Sequence, residues 1–406
     1  MEQEYKISII GDIMCELPLL RAVQKLGYSF EDAFAAIKPC FAESDFVIGN
    51  LETPLAGKDK GYTNDLYSFN TPDEIADAII DLGIDSVSLA NNHCLDRSRD
   101  GLLRTMKTLE DKGLDYFGVA KSFSDRLPYY QICLDNLKVG IIGYTYNTNV
   151  AETGLVLRED EDYLLNILQS QEKHYQRWKK NISRPGIRYR VSGTLRTFFN
   201  DYQIAKIKRA LGIYHNAPYV DKLEQTFPLE DGINRLEMDI KLARKNNDFV
   251  FVYLHSGGQF STEIGSFTKM IVDKIEKAGA DGVIGHHPHV VQEYETSEDF
   301  FTCYSLGNFS LSPSSIYVIP DNLPEYGLIL HLYLNQEQKR ITRKTITIIK
   351  MVDDSEGKLR VVPTNYLFEK IPDKDGEQLK KDCIKILSIV KTDDELFSFQ
   401  EEYELP

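Results

Sequence analysis

The sequence predicts an α/β fold built around parallel strands, and two observations carry that reading. Short apolar strand patterns alternate with amphipathic helical ones along most of the chain, the signature of strand–helix–strand units. Strand after strand also stops at a polar cluster instead of running on into a turn and hairpin. Composition agrees: 42% hydrophobic and 27% charged residues provide enough apolar surface for a core.

The elements follow in order. Lys6–Ile10 reads as a strand ending at Gly11-Asp12, and Ser29-Phe30-Glu31-Asp32 opens a helix with a capping-box arrangement. Asp45–Ile48 is a strand that stops at Gly49-Asn50-Leu51-Glu52. Thr71-Pro72-Asp73-Glu74 places an N-cap residue, a first-turn proline and an acid at a helix start. Strand Asp85–Leu89 stops at Ala90-Asn91-Asn92-His93, and a helix over Arg99–Lys112 ends on Gly113. Tyr129–Leu134 and Leu137–Gly143 flank Asp135-Asn136 as a hairpin.

From about residue 150 to 230 the pattern degrades and reads as an insertion, with helix expected around Asp162–Lys180 and again over Asn200–Leu211. Regularity returns with helix Asp231–Lys245, strand Asp248–Leu254, helix Thr268–Ala278 and strand Gly282–Ile284. Phe301–Tyr304, Gly327–Leu334 and Arg340–Lys350 are expected as antiparallel strands, before a helix near Gly376–Val390. The expected organisation is one domain over 1–370 and a C-terminal helical extension over 371–406 packed on it.

Charge restricts the partners. The net charge of −15 disfavours a general nucleic-acid binder. Yet Lys173 to Arg209 holds eleven Lys/Arg and one acid, a local +10 that leaves −25 to the rest. Arg184, Arg188, Arg190 and Arg196 are therefore candidate contacts for an anionic small molecule or polymer, arginine being suited to bidentate anion contacts; a solvated surface segment is the alternative. No apolar run reaches the roughly 18 residues of a membrane span, the first residues carry no basic leader pattern, and the six scattered cysteines form no CxxC pair. The expected setting is cytoplasmic, with reduced thiols.

Ligands of α/β sheets bind outside the carboxyl ends of the strands, so the polar clusters there should converge. They are Asp12, Asn50 to Glu52, Asn91 to His93, His255 to Gly258, and Gly285 to His289. Together they offer carboxylates, amides and imidazoles without a thiolate, a set suited to Mn, Fe or Zn, as one ion or two, over the all-oxygen shell of Ca or Mg. Three of the chain's eight histidines fall in His286-His287-Pro288-His289. In an extended segment i and i+2 point the same way, so His287 and His289 should face one ion, with Pro288 stiffening the pair. His286 lies out of phase with them. Singly, Asp12 has the alternative of a turn or N-cap residue and His255 that of a satisfied core histidine. The set is what points to a site.

Gly11-Asp12-Ile13-Met14, Gly49-Asn50-Leu51-Glu52, Leu89 to His93 with Asp96, His255, Gly279-Ala280-Asp281 leading into Gly285 to Val290, and Tyr304 to Phe309 closely resemble the CapA family. These are capsule and poly-γ-glutamate synthesis proteins with a calcineurin-like metallophosphoesterase fold. The resemblance covers roughly residues 5–150 and 230–350. It implies an α/β/β/α sandwich with a dinuclear metal centre. Asp12, Glu52, Asn92, His255, His287 and His289 then stand as ligands and His93 as general acid; Asn50, Asn91 and His286 beside them are candidate substrate contacts, with a supporting or structural role the favoured alternative for His286. The implied activity is hydrolysis of a phosphoester or related polyanion in cell-envelope polymer metabolism; the alternative is an accessory factor that binds polymer without turnover. Two positions depart from the family pattern: Met14 stands where metallophosphoesterases carry the histidine of Asp-x-His, and Ser256 where relatives carry tryptophan after His255.

Overall fold

The computed structural model describes residues 3–25, 27–172, 199–212, 216–223, 230–354, 356–392 and 397–406. Its strands are β1 (Glu4–Ile13), β2 (Phe46–Leu51), β3 (Ser86–Ser88), β4 (Asp115–Phe117), β5 (Tyr130–Leu134), β6 (Leu137–Thr145) and β7 (Phe249–His255). Then come β8 (Gly282–His286), β9 (Tyr294–Thr296), β10 (Phe301–Cys303), β11 (Tyr326–Asn335), β12 (Arg340–Asp353), β13 (Leu359–Pro363) and β14 (Tyr403–Glu404). They form two mixed sheets, β13-β12-β11-β1-β2-β3-β4 with β14 beside β12, and β5-β6-β7-β8-β10-β9. In each sheet the middle is parallel: β1, β2, β3 and β4 in one, and β6, β7, β8 and β10 in the other.

The side-chain period of two sorts each strand between two cores. Ile7 and Ile9 of β1 join Phe249, Phe251 and Tyr253 of β7 in a layer between the sheets. Ile10 and Ile13 turn to the other face of β1, where they meet Phe34, Ile75, Leu102 and Met106 of the flanking helices. Val250, Val252 and Leu254 of β7 likewise turn outward onto the helices Glu230–Asn246 and Ser266–Ala278. The outcome is helices, sheet, sheet, helices. The C-terminal helix Asp373–Ile389 sends Leu379, Cys383, Ile386 and Leu387 into the inter-sheet core.

Several local expectations are met in atomic detail. Ser29 and Asp32 form the reciprocal capping box, Gly113 ends its helix in the left-handed conformation at φ 76°, and Leu134 pairs with Leu137 across the hairpin. Others are corrected. The helix expected from Thr71 begins at Glu74, because the Thr71 hydroxyl is taken by Thr53 at 2.7 Å. Residues 162–170 are not helical: Leu165 bridges Val119 and Ile167 bridges Thr145, so they serve as short edge pairings. Residues 171 and 172 are helical as expected, and 173–180 lie outside the described residues. β10 runs antiparallel to β9 but parallel to β8, its register set by the interior demand of Phe301.

Candidate metal centre

The parallel strands of both sheets deliver their carboxyl ends to one place. β1 supplies Asp12, β2 leads into Glu52, β3 into Asn91-Asn92-His93, β7 ends on His255, and β8 runs into His286 to His289. Two glycines allow the loops to close around them. A Cβ at Gly11 would stand 2.2 Å from the Gly307 carbonyl oxygen, and one at Gly285 would stand 1.9 Å from that of Tyr304.

The expected ligands are brought together, all 2% exposed or less. Asp12 Oδ1 accepts from Asn50 Nδ2 at 2.8 Å and pairs with His286 Nδ1 at 3.0 Å, while Oδ2 accepts the His287 backbone N–H at 3.1 Å. Burial works to raise the Asp12 carboxyl, but the His286 and His289 imidazoles prevail and hold it well below the usual carboxylate range. Asn92 Oδ1 lies 2.7 Å from His255 Nε2. His255 is pushed well down by burial and by the neighbouring His287, and His287 itself is pushed down to about 3 by burial and by His289. Both imidazoles are thus neutral, the form that ligates.

Glu52 is different. It is 0% exposed, yet among the described residues neither carboxylate oxygen has a hydrogen-bond partner. The nearest imidazole nitrogens stand around Oε1 without bonding it: His255 Nε2 at 3.3 Å, His289 Nε2 at 3.7 Å and His93 Nε2 at 3.9 Å. Burial first, then the charge of Asp12, pushes its pKa well up. An isolated buried carboxylate is costly unless a cation compensates it. Two donor groups, Glu52 with His287 and His289 and Asp12 with Glu52 and His255, each have ligand atoms within 4.8 Å of one another, and Glu52 is common to both. The donor set therefore fits a divalent cation.

One expectation fails in its geometry. His287 and His289 do not share an extended segment: their φ angles are 98° and 58°. The Asp12 carboxylate draws in the His287 N–H, and two left-handed residues swing both rings, 5.8 Å apart, toward Glu52. Such backbone costs about 1–3 kcal/mol per residue and persists where the surroundings impose it.

His93 is 5% exposed and packs 4.3 Å from the Phe69 ring. Its Nδ1 holds Asp96 Oδ2 at 2.6 Å, which leaves Nε2 facing Glu52. The expected substrate contacts Asn50, Asn91 and His286 are placed behind the ligands. Asn50 bonds Asp12 and Asn91, Asn91 bonds the Leu51 carbonyl, and His286 stacks 5.1 Å from Tyr253. Arg184, Arg188, Arg190 and Arg196 lie outside the described residues. The neighbouring stretch 216–223 reaches the loop after β7 and the helix that follows it: Tyr219 N–H bonds the Gln259 carbonyl at 3.0 Å, and Asp221 accepts from the Thr268 N–H at 2.8 Å.

Two supporting residues escape sequence reasoning. Asn308 Oδ1 faces His289 Nδ1 at 3.0 Å, and its Nδ2 donates to the His289 carbonyl at 2.8 Å, fixing the ring with Nε2 toward Glu52. Its only signal is its place in the Tyr304–Phe309 block. Asn149 contacts Asn92, His93 and Asp96, and a lone asparagine four residues past a strand gives no signal. Cys15 and Cys94 are buried thiols pushed well up by burial, so neither is poised to ligate.

Fold and site together define a two-sheet α/β sandwich whose parallel strand ends enclose a candidate histidine–carboxylate cation site. Residues 6–312 match the bacterial capsule synthesis protein family PGA_cap, and the chain belongs to that family. It is 23% identical over 310 residues to the capsule biosynthesis protein CapA of Bacillus anthracis, covering 76% of this chain and 60% of that protein. It is 22% identical over 306 residues to the PGA biosynthesis protein CapA of Bacillus subtilis, covering 74% and 62%. The chain thus spans about three-fifths of the length of these relatives. A solved structure described as a novel phosphatase from Mycoplasma pneumoniae aligns over 88% of this chain and 97% of its own at 12% identity, with a TM-score of 0.41. Among the described residues no helix is long and apolar enough to cross a membrane.

Proposed function

We propose that this chain is a metal-dependent hydrolase of a phosphoester or related polyanion in capsule, poly-γ-glutamate or other cell-envelope polymer metabolism. The observation that carries the reading is Glu52: a fully buried carboxylate with two unpartnered oxygens, common to two donor groups. Asp12, Glu52, Asn92, His255, His287 and His289 are the proposed ligands of two divalent ions, Mn, Fe or Zn by donor chemistry. Bound there, such cations supply charge stabilisation for phosphoryl transfer and lower the pKa of water.

The remaining roles fall to the chain's own side chains. Asp96 fixes His93 through Nδ1 and leaves Nε2 turned toward the cluster, the nitrogen proposed to carry the acid proton. His93 is the proposed general acid, donating that proton to the leaving oxygen, a task worth typically about 10²–10⁴-fold. Phe69 and the burial of the cluster keep bulk water from His93. The basic stretch with Arg184, Arg188 and Arg190 is proposed to attract the anion.

The relatives are named for biosynthesis, and this favours a second reading, an accessory factor that binds an anionic polymer without turnover. Hydrolysis of bis(p-nitrophenyl) phosphate, with and without Mn²⁺, on wild type and His93→Ala separates the two. The first reading expects metal-dependent turnover that falls about 10²–10⁴-fold in the variant, with Mn²⁺ stoichiometry unchanged. Full metal uptake with no turnover on any phosphate probe supports the accessory role, and absence of metal uptake overturns both.

A further inference from the structure

We infer that Asn149 is a positioning residue that dictates which end of the Asn92 amide faces the metal centre, and that it takes this instruction from Asp96. The inference deepens the metal-centre reading above and rests on it.

The argument begins with the limits of an amide. Asn92 can offer a cation only its Oδ1, because the other end of the side chain carries two N–H donors. At a strand end either rotation fits sterically, so something polar must choose. Asn92 Nδ2 donates to Asn149 Oδ1 at 2.9 Å, which turns Asn92 Oδ1 the other way, to 2.7 Å from His255 Nε2. The choice has only moved to Asn149, whose amide is equally reversible.

That second choice is fixed by charge. Asn149 Nδ2 lies 3.0 Å from His93 Nδ1 and 3.3 Å from Asp96 Oδ1. His93 Nδ1 keeps its hydrogen and donates it in a hydrogen bond to Asp96 Oδ2 at 2.6 Å, so that nitrogen has no lone pair free to accept. Asp96 Oδ1 is therefore the acceptor for Asn149. Reversing Asn149 would set its carbonyl oxygen against that carboxylate, two acceptors with no proton between them. The backbone N–H of Asn149, bonded to the Asn92 carbonyl at 3.1 Å, holds the two residues in register. A single carboxylate thus orients the proposed general acid directly and a proposed ligand through one intervening amide.

Two variants separate the two ends of Asn149. In Asn149→Ala both contacts go and Asn92 is free to reverse; Mn²⁺ affinity, read by calorimetric titration, is expected to fall about 10–100-fold, the usual scale for residues that orient ligands. In Asn149→Asp one oxygen still accepts from Asn92, so Mn²⁺ is expected to bind no more weakly than in wild type. Its other oxygen now faces Asp96, and the turnover of bis(p-nitrophenyl) phosphate at saturating Mn²⁺ is expected to fall at least tenfold. A merely structural role predicts instead that affinity, turnover and thermal stability decline in parallel in both variants, and that result overturns the inference. So does wild-type Mn²⁺ affinity in Asn149→Ala. The affinity comparison needs no turnover, so it decides the orientation of Asn92 even if wild type binds Mn²⁺ and hydrolyses nothing, the outcome that sinks only the hydrolase reading.

Discussion

His331, in the middle of β11, and His287, just past β8, are 0% and 2% exposed, and burial pushes both imidazoles down to about 3. By residue type, burial and proton affinity they match. Their partners differ. His331 has Ser8 Oγ 2.7 Å from Nδ1 and Thr347 Oγ1 3.1 Å from Nε2, so both ring nitrogens are occupied inside regular sheet. His287 sits at φ 98° with Nδ1 unpartnered, beside a Glu52 whose two oxygens are unpartnered too. Buried polar groups are almost always satisfied, so each exception needs its own explanation. At His331 the sheet offsets the desolvation; at His287 and Glu52 no described group does, and the proposed cation would supply the compensation. Unsatisfied polar atoms gathered at the strand ends, more than buried histidine as such, distinguish the candidate site of this sandwich.

The largest expected effect tests that contrast directly. Glu52→Ala removes the oxygens common to both donor groups, and Mn²⁺ affinity by calorimetric titration should fall on the order of 100-fold or more, at or beyond the scale seen for supporting residues. His331→Asn should leave it within about twofold. Equal effects at the two positions would break the comparison, because the orphaned carboxylate would then carry no special meaning.

How far the sequence foretold this contrast depends on the range of each interaction. Where an apolar run stops at a polar residue, the strand end is visible locally, and the clusters at Asp12, Glu52, Asn92, His255 and His287 could be read that way. The division into two facing sheets could not be read from periodicity. It depends on pairings such as β1 with β11, where Ile7 meets Leu332. The left-handed turn at His287 was hidden as well, since the Asp12 carboxylate that takes its N–H lies far away in the chain. Asn149 was hidden for the same reason: its partner Asn92 is 57 positions away, and an asparagine there fits a turn equally well. His331 gave no signal either way, and only the hydroxyls of Ser8 and Thr347 mark it as structural.

A smaller effect sharpens the comparison thermodynamically. If the open polar atoms await a cation, folding and metal uptake are linked. Mn²⁺ at 100 times its dissociation constant should stabilise the wild type by about 2.7 kcal/mol, read as a rise in the calorimetric melting temperature that EDTA reverses. The same Mn²⁺ concentration should stabilise Glu52→Ala by much less and His331→Asn as much as wild type. A cation that left the wild-type melting temperature unchanged would remove the physical reason for an open site.

The smallest effect concerns acid, and its sign follows from where the proton binds. The folded pKa of His331, about 3, lies below its ordinary 6.5. Between those values the unfolded chain takes up a proton that the folded chain refuses, so the His331 contribution to stability is full above pH 6.5 and is lost as pH falls toward 3. From pH 7 to pH 5 the loss amounts to about 2 kcal/mol, at about 1.4 kcal/mol per pH unit. His331→Asn keeps a side chain able to bond Ser8 or Thr347 but does not titrate, so its stability should fall about 2 kcal/mol less than that of wild type over the same interval. Urea unfolding at the two pH values in EDTA measures the difference. The assay isolates the satisfied histidine: removing metal silences cation binding at the other site, and the acid response of His255 and His287 is common to both proteins and cancels on subtraction. An identical pH dependence in the two proteins would mean that His331 takes up its proton inside the sheet after all, and that two hydroxyl partners do not keep a buried imidazole neutral there.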